Sequence, residues 1–261
     1  MMKRLVQVER VAEGVGLITL MRPEAANAMS VQLLTELSET LDQVHRDPAI
    51  RVVLLTGAGE KAFCAGADLK ERQGMSERQV KEIVQLIGAT VTKVESLAQP
   101  VIAVINGVAF GGGLELALAC DIRIAATHVK VGLTETSLGI IPGAGGTQRL
   151  PRLIGIVKAK ELIYTARRLH AEQAKNYGVV TYVYESYELQ QKALELASEI
   201  AKNAPLALEQ AKLAINQGLE VDLTTGLKIE SLAYNALIPT QDRLEGLRAF
   251  QEKRAPHYLG N

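Results

Sequence analysis

Along the first half of the chain, segments with the hydrophobic pattern of β-strands alternate with segments that have the hydrophobic period of α-helices. Residues 5–9 and 16–20 are strand-like and are joined by a Glu-Gly turn, which predicts a β-hairpin. Helical spacing then predicts an amphipathic helix from the N-cap Ser30 to about residue 46. The β-branched run 50–56 is typical of a strand covered on both faces.

The same order of elements recurs further along the chain. Ser76 and Gln79 form a capping box, which predicts a helix that ends near the Ala-Gln-Pro sequence at 98–100. The pattern then predicts a buried strand, an apolar helix after a triple glycine, and another strand, at residues 101–105, 114–119 and 121–125. Such alternation predicts an α/β fold of stacked β-β-α units with a largely parallel sheet.

Beyond residue 145 the pattern is mostly helical. Helices are expected around residues 157–165, 189–203, 205–216, 223–236 and 241–252. No linker or low-complexity tract divides the chain. We therefore expect a core over residues 1–200 and a helical C-terminal extension over residues 201–261.

Composition excludes several classes of protein. The 261 residues are 48% hydrophobic and 22% charged, which is ordinary for a globular protein. Lys plus Arg equals Asp plus Glu, at 29 each, so no overall field attracts nucleic acid or an anionic membrane. Neither a signal-peptide run nor a membrane-spanning apolar stretch is present, and this predicts a soluble, cytoplasmic protein.

The cysteines and histidines do not indicate a metal site. Cys64 and Cys120 lie outside any CxxC pair, and the four histidines have no ligand spacing around them. Two reduced, buried cysteines are the expected outcome. We predict that the protein uses no metal or redox cofactor.

Two glycine-containing turns follow predicted buried strands, at residues 63–68 and 111–115. Each is explained as a tight turn, where glycine adopts positive φ at low cost. A phosphate loop is disfavoured at 111–115, because neither a Gly-Lys-Ser/Thr sequence nor GxGxxG spacing is present. The alternative is that both turns present free amides, and two converging amides would form an oxyanion hole.

Two glutamates lie in apolar surroundings. Glu115 interrupts an apolar helix, and Glu135 lies between apolar residues and a glycine-rich turn. Glu115 would also suit a helix N-terminus, and Glu135 would also suit an exposed loop. Burial would instead raise their pKa values and suit them to acid–base catalysis. Ser137 lacks a GxSxG sequence, which disfavours an α/β-hydrolase mechanism.

These turns and glutamates resemble the signature of the enoyl-CoA hydratase/isomerase (crotonase) family. The resemblance extends along nearly the whole chain, through Arg22-Pro23 with Asn27-Ala28, Phe63-Cys64-Ala65-Gly66-Ala67-Asp68-Leu69, Asn106-Gly107 with Gly111-Gly112-Gly113-Leu114-Glu115, and the run IPGAGGTQRL at 141–150. It implies a spiral of β-β-α units whose C-terminal helices build trimers, commonly paired into hexamers.

The resemblance also implies roles for individual residues. The oxyanion amides fall on Ala67 and Gly112, and the two catalytic acids on Glu115 and Glu135. The implied reaction is the syn addition of water to a trans-2-enoyl-CoA, as in fatty-acid or branched-chain amino-acid breakdown. Glu115 would activate the water, and Glu135 would deliver a proton to Cα.

Coenzyme A enters as part of the acyl-CoA substrate. The resemblance places its adenine along residues 65–69 and its phosphates near basic residues, one of them on a neighbouring subunit. The residues implied in coenzyme A binding are Arg22, Ala65, Ala67, Asp68, Leu69 and Lys253.

Several stretches look like the methylglutaconyl-CoA hydratase branch, some members of which bind AU-rich RNA. These are the runs at 63–72, 211–218, 242–246 and 250–254. A methylglutaconyl-CoA hydratase is therefore the main alternative, and an isomerase is less expected with two acids. RNA binding is disfavoured because residues 30–47 carry four acids and one arginine. The predicted partners thus include neither nucleic acid nor a membrane.

Overall fold

Residues 4–261, which a computed structural model describes, form two β-sheets and a series of helices. The strands are β1 Val6–Ala12, β2 Gly14–Leu20, β3 Ile50–Gly57, β4 Ala62–Cys64, β5 Val101–Ile105, β6 Val108–Phe110, β7 Ile122–Ala126, β8 Lys130–Gly132, β9 Leu169–His170 and β10 Tyr182–Tyr184. The α-helices are α1 Val31–Arg46, α2 Leu69–Arg72, α3 Glu77–Glu95, α4 Gly112–Leu118, α5 Gly146–Ile154, α6 Ile156–Tyr164, α7 Ala171–Tyr177, α8 Leu189–Ala201, α9 Pro205–Gly218, α10 Leu223–Leu237 and α11 Gln241–Glu252.

The two sheets explain the repeating pattern of the sequence. The larger has the order β1-β2-β3-β5-β7-β10, and the smaller has the order β4-β6-β8-β9. Each central repeat places its first strand in the larger sheet and its second in the smaller, and a helix follows. Pairing is parallel except between β1 and β2 and between β8 and β9. The predicted spiral of β-β-α units is confirmed.

Local signals in the sequence correctly predict the first elements. β1 and β2 form the expected antiparallel hairpin. Ser30 caps α1 by accepting a hydrogen bond from the amide of Leu33 at 3.2 Å. The capping box of Ser76 and Gln79 opens α3 as predicted. These devices satisfy amides that have no partner within the helix.

The structure also contains elements that the pattern does not predict. The smaller sheet has strands of only two or three residues, which are too short to show an alternation of period two. Helix α4 begins two residues earlier than expected, at Gly112, because the preceding Gly111 turns the chain with a φ of +52°. Strand β7 is shifted by one residue from the predicted 121–125.

A continuous apolar core lies beneath both sheets and contains Cys64 and Cys120, which are free and buried as expected. Helix α8 packs across the larger sheet and ends at Ala201. Helices α9 to α11 follow, and α9 packs against α10. The division of the chain into a core over residues 1–200 and an extension over residues 201–261 stays a prediction. Among the described residues, no helix has the length and apolar character needed to span a membrane.

Candidate active site

The turns at 63–68 and 110–113 lie against each other. Gly66 has a φ of +94°, and a Cβ built on it would lie 2.8 Å from the carbonyl oxygen of Phe110 and 3.2 Å from the amide nitrogen of Gly112. A Cβ on Gly112 would lie 3.7 Å from the amide nitrogen of Ala67. The amides of Ala67 and Gly112 therefore lie close together, as the resemblance implies.

Both amides are available to a ligand. Gly112 is the first residue of α4, where amides have no intrahelical acceptor. Within residues 4–261, the amide of Ala67 has no hydrogen-bond acceptor. Its neighbours do form main-chain hydrogen bonds: the carbonyl of Gly66 accepts from the amide of Met29, and the amide of Asp68 donates to the carbonyl of Met29. Two free amides at one point, beside a glycine that leaves room for a substrate, have the arrangement of an oxyanion hole.

Glu115 lies in the first turn of α4 and is only 2% exposed. The amides of Ala144 and Gly146 each donate to its Oε1 atom at 2.8 Å. Burial raises the pKa of Glu115, while these two amides and the charge of Arg149 oppose the rise. The residue is thus a buried carboxyl group whose ionised form is supported by main-chain donors.

Glu135 begins a short 3-10 helix and is 8% exposed. Its Oε2 atom is buried and, among the described residues, has no hydrogen-bond partner. Its Oε1 atom lies beside Gly111, the residue before α4, since a Cβ built on Gly111 would lie 2.8 Å from it. Burial raises the pKa of Glu135 to about 7, and the nearby charge of Glu115 adds to the rise.

The two acids and the two amides form one site around the start of α4. The alternative that Glu135 is an exposed loop acid is wrong, because its side chain is buried beside Gly111. Two carboxyl groups with different pKa values can accept and donate protons near neutral pH. The free amides can meanwhile stabilise negative charge on a carbonyl oxygen.

Three residues implied in coenzyme A binding lie at the edge of this site. Arg22 donates to Asp68 at 2.6 Å and to the carbonyl of Ala28 at 3.2 Å. Burial acts to raise the pKa of Asp68, but hydrogen bonds from Arg22 and from the first amides of α2 hold it below its ordinary value. Asp68 thus caps α2 and fixes Arg22, while Leu69 next to it is 57% exposed.

Lys253 is not brought to the site within this chain. It is an exposed residue in the left-handed conformation at the end of α11, with a φ of +55°. In the described part of the chain, no hydrogen bond or ion pair joins it to the two turns. Its expected contact with coenzyme A of a neighbouring subunit therefore stays a prediction.

Sequence reasoning misses the residues that hold Glu115. Ala144 and Gly146 act through their amides, and Arg149 contacts the carbonyl of Ala144 at 3.0 Å. The signal in the sequence is the run Gly-Ala-Gly-Gly at 143–146, because small residues leave the main chain accessible to a hydrogen-bond acceptor.

Comparison with known proteins identifies the group to which this site belongs. A profile of the enoyl-CoA hydratase/isomerase family matches residues 10–261. The chain belongs to the enoyl-CoA hydratase/isomerase family. The family resemblance found in the sequence is confirmed, and with it the activity as an enzyme of the hydratase/isomerase group.

Individual family members are similar over nearly the whole chain. The Bacillus subtilis protein YngF, which has a provisional enoyl-CoA hydratase/isomerase name, is 59% identical over 248 residues, or 95% of each chain. Human mitochondrial methylglutaconyl-CoA hydratase is 48% identical over 261 residues, which cover 98% of this chain and 77% of that protein. The crystal structure of an enoyl-CoA hydratase from Bacillus anthracis has a TM-score of 0.97 and 57% identity, and covers 98% of this chain and 100% of that one.

Proposed function

We propose that the protein is an enoyl-CoA hydratase that adds water in syn fashion to a trans-2-enoyl-CoA, giving a 3-hydroxyacyl-CoA. The observation that carries the proposal is the pair of buried acids, Glu115 and Glu135, beside the free amides of Ala67 and Gly112. Hydration needs a base, an acid and a carbonyl-polarising group, and an isomerisation needs only one group that moves a proton.

In the proposed reaction, each group has one role. The thioester oxygen accepts hydrogen bonds from the amides of Ala67 and Gly112, which stabilise the enolate-like charge that develops there. Glu115 takes a proton from a water molecule as the water oxygen bonds to Cβ. Glu135 gives its proton to Cα, and the C=C double bond becomes single. A proton returned from Glu115 to Glu135 through solvent resets the pair.

The proposed substrate supplies its own coenzyme A, so no further cofactor is included. We propose that its adenine lies along residues 65–69, and that Arg22 and a neighbouring subunit's copy of Lys253 meet its phosphates. The extension over 201–261 would then build a trimer, alone or paired into a hexamer. A cytoplasmic location and a place in fatty-acid breakdown belong to the same proposal.

The alternative acyl group is methylglutaconyl, which carries a distal carboxylate. The 48% identity to human methylglutaconyl-CoA hydratase favours it. A carboxylate needs a cationic partner, and we propose Arg72 for that role. It ends α2, which begins two residues after Ala67, and its Nε atom is buried without an acceptor in residues 4–261.

A panel of substrates tests both proposals. Short-chain, long-chain and branched enoyl-CoA esters and methylglutaconyl-CoA are compared by loss of the conjugated thioester absorbance. Turnover of crotonyl-CoA with a 3-hydroxyacyl product supports the hydratase, and turnover of none of these esters would contradict it. If methylglutaconyl-CoA is preferred, Arg72→Gln should lower kcat/KM for that ester about tenfold or more, and leave crotonyl-CoA hydration within about twofold.

RNA binding is the rival from another class of function. Residues 30–47, which include α1, carry Glu36, Glu39, Asp42 and Asp47, and such a face repels phosphates. We therefore propose that the protein does not bind nucleic acid. Filter binding to AU-rich RNA over a range of salt concentrations tests this, and micromolar affinity at physiological salt would overturn it.

A further inference from the structure

The loop that holds Glu115 is itself held by one side chain. Residues 143–146 lead into α5, whose first residue is Gly146, and the amides of Ala144 and Gly146 both donate to Glu115 Oε1 at 2.8 Å. From the other side, Arg149 Nη1 donates to the carbonyl oxygen of Ala144 at 3.0 Å. The same peptide segment therefore joins an arginine to the catalytic carboxylate.

Arg149 is fixed in turn by α3. Its Nε and Nη2 atoms donate to the two carboxylate oxygens of Glu95, at 3.0 and 2.6 Å, in a bidentate ion pair. Only 15% of the Arg149 side chain is exposed. A paired and largely buried guanidinium has few orientations, so its contact with Ala144 is well defined.

A second arginine on the same helix shows what is particular to Arg149. Arg152 is also ion-paired, with Glu220 at 3.0 Å, and both arginines line one cavity of about 380 Å³. Its side chain is 56% exposed, and its main-chain contact is with Gln148 within α5. Arg152 therefore has the same charge and a similar partner, but no bond to the loop that holds Glu115.

We propose that Arg149 is a positioning residue that holds the loop 143–146 on the Glu115 carboxylate. This role rests on the proposed function of Glu115 as a catalytic group. The charge of Arg149 opposes the rise in the pKa of Glu115, and the charge of Glu115 in turn raises the pKa of Glu135. Loss of Arg149 would remove a favourable charge and loosen two hydrogen-bond donors.

Arg149→Gln tests this role, with Arg152→Gln as the matched control. A displacement of a catalytic group by about 1 Å lowers the rate roughly 100-fold. Arg149→Gln should therefore lower kcat for crotonyl-CoA by about 10–100-fold and leave KM within about twofold. The acidic limb of its pH–rate profile should move to higher pH. Arg149→Lys keeps the charge but cannot contact Glu95 and the carbonyl of Ala144 together. The acidic limb of its pH–rate profile should therefore move less than that of Arg149→Gln. Arg152→Gln should behave as wild type.

Hydrogen exchange measures the loop without relying on turnover. Arg149→Gln should speed exchange of the amides of Ala144 and Gly146 while the strands of the larger sheet stay protected, and Arg152→Gln should not. Glu95→Gln, a milder change, should show the same loop-specific effect with about a 2–10-fold lower kcat. The role is overturned if exchange at the loop is unchanged, if it rises equally throughout the chain, or if the loss lies in KM. An inactive wild type would contradict the proposed function, whereas exchange would still decide the role of Arg149.

Discussion

The two proposed catalytic acids, Glu115 and Glu135, have the same side chain and similar burial, but the protein surrounds them differently. Glu115 Oε1 accepts hydrogen bonds from two main-chain amides, those of Ala144 and Gly146. The guanidinium of Arg149 donates to the carbonyl of Ala144 in the same loop. Glu135 Oε2 is buried and has no partner among the described residues. The charge of Glu115 is stabilised by two main-chain donors from a neighbouring loop, whereas the only donor acting on the pKa of Glu135 is its own backbone amide.

This difference gives the two carboxyl groups different tendencies to hold a proton. Burial raises both pKa values, but amide donors oppose the rise at Glu115, whereas the charge of Glu115 adds to the rise at Glu135. Near pH 7, Glu115 is the better proton acceptor and Glu135 the better proton donor. The proposed roles of acid and base therefore rest on the surroundings of each carboxyl group, since the residue type is the same.

Removing either carboxyl group should have the largest effect. Glu115→Gln and Glu135→Gln each lose a group that moves a proton, and the amide keeps a similar size and shape. We expect crotonyl-CoA hydration to fall by roughly 10²–10⁴-fold in each variant, with melting temperatures near or above that of wild type. Initial rates at pH 7 measure this.

A surface glutamate provides the control for these variants. Glu161 is exposed and ion-paired with Arg167 at 2.7 Å, so Glu161→Gln should retain wild-type turnover. Wild-type rates in Glu115→Gln or in Glu135→Gln would show that the comparison between the two acids has no catalytic meaning.

The pH dependence of the wild-type enzyme should reveal the donor. The pKa of Glu135 is raised to about 7, and in the proposed mechanism its protonated form delivers a proton to Cα. kcat/KM for crotonyl-CoA should therefore fall as pH rises above about 7, approaching tenfold per pH unit. A profile that stays level from pH 6 to pH 9 would contradict a protonated Glu135 in the free enzyme.

The smallest effect expected is on stability. Between the ordinary pKa of 4.5 and about 7, the folded state binds the Glu135 proton more tightly than the unfolded state does. The free energy of unfolding contributed by this residue is therefore present at low pH and is lost as pH rises through 7. Glu135→Gln does not ionise, so it should be more stable than wild type by about 1–3 kcal/mol at pH 8. Urea unfolding at pH 5 should show little difference, and an equal gain at both pH values would exclude ionisation as the cause.

Strong local signals made much of the fold predictable. Ser30, the capping box at Ser76, and the β-branched strands at 50–56 and 101–105 each act through residues close in sequence. The smaller sheet was not predictable, because its strands are too short for a periodic pattern and depend on pairing between repeats. Element boundaries moved by one or two residues for a similar reason.

The site divides in the same way. Its acids and oxyanion amides could be named from motifs, and the structure brings Ala67, Gly112, Glu115 and Glu135 together. The support from Arg149 could not be found, because it acts through the carbonyl of Ala144, and no side-chain pattern reveals a main-chain contact. What separates the two acids is therefore visible only in three dimensions.

The most direct test of the account is an NMR titration of the two carboxyl groups in ¹³C-labelled free enzyme, with Glu115→Gln and Glu135→Gln used to assign the signals. We predict that Glu135 titrates near pH 7 and that Glu115 titrates at lower pH. Since the groups interact, the order of the two transitions is the quantity to compare. Glu135 ionised throughout the range above pH 5, or Glu115 as the last of the pair to lose its proton, would contradict the assignment of acid and base.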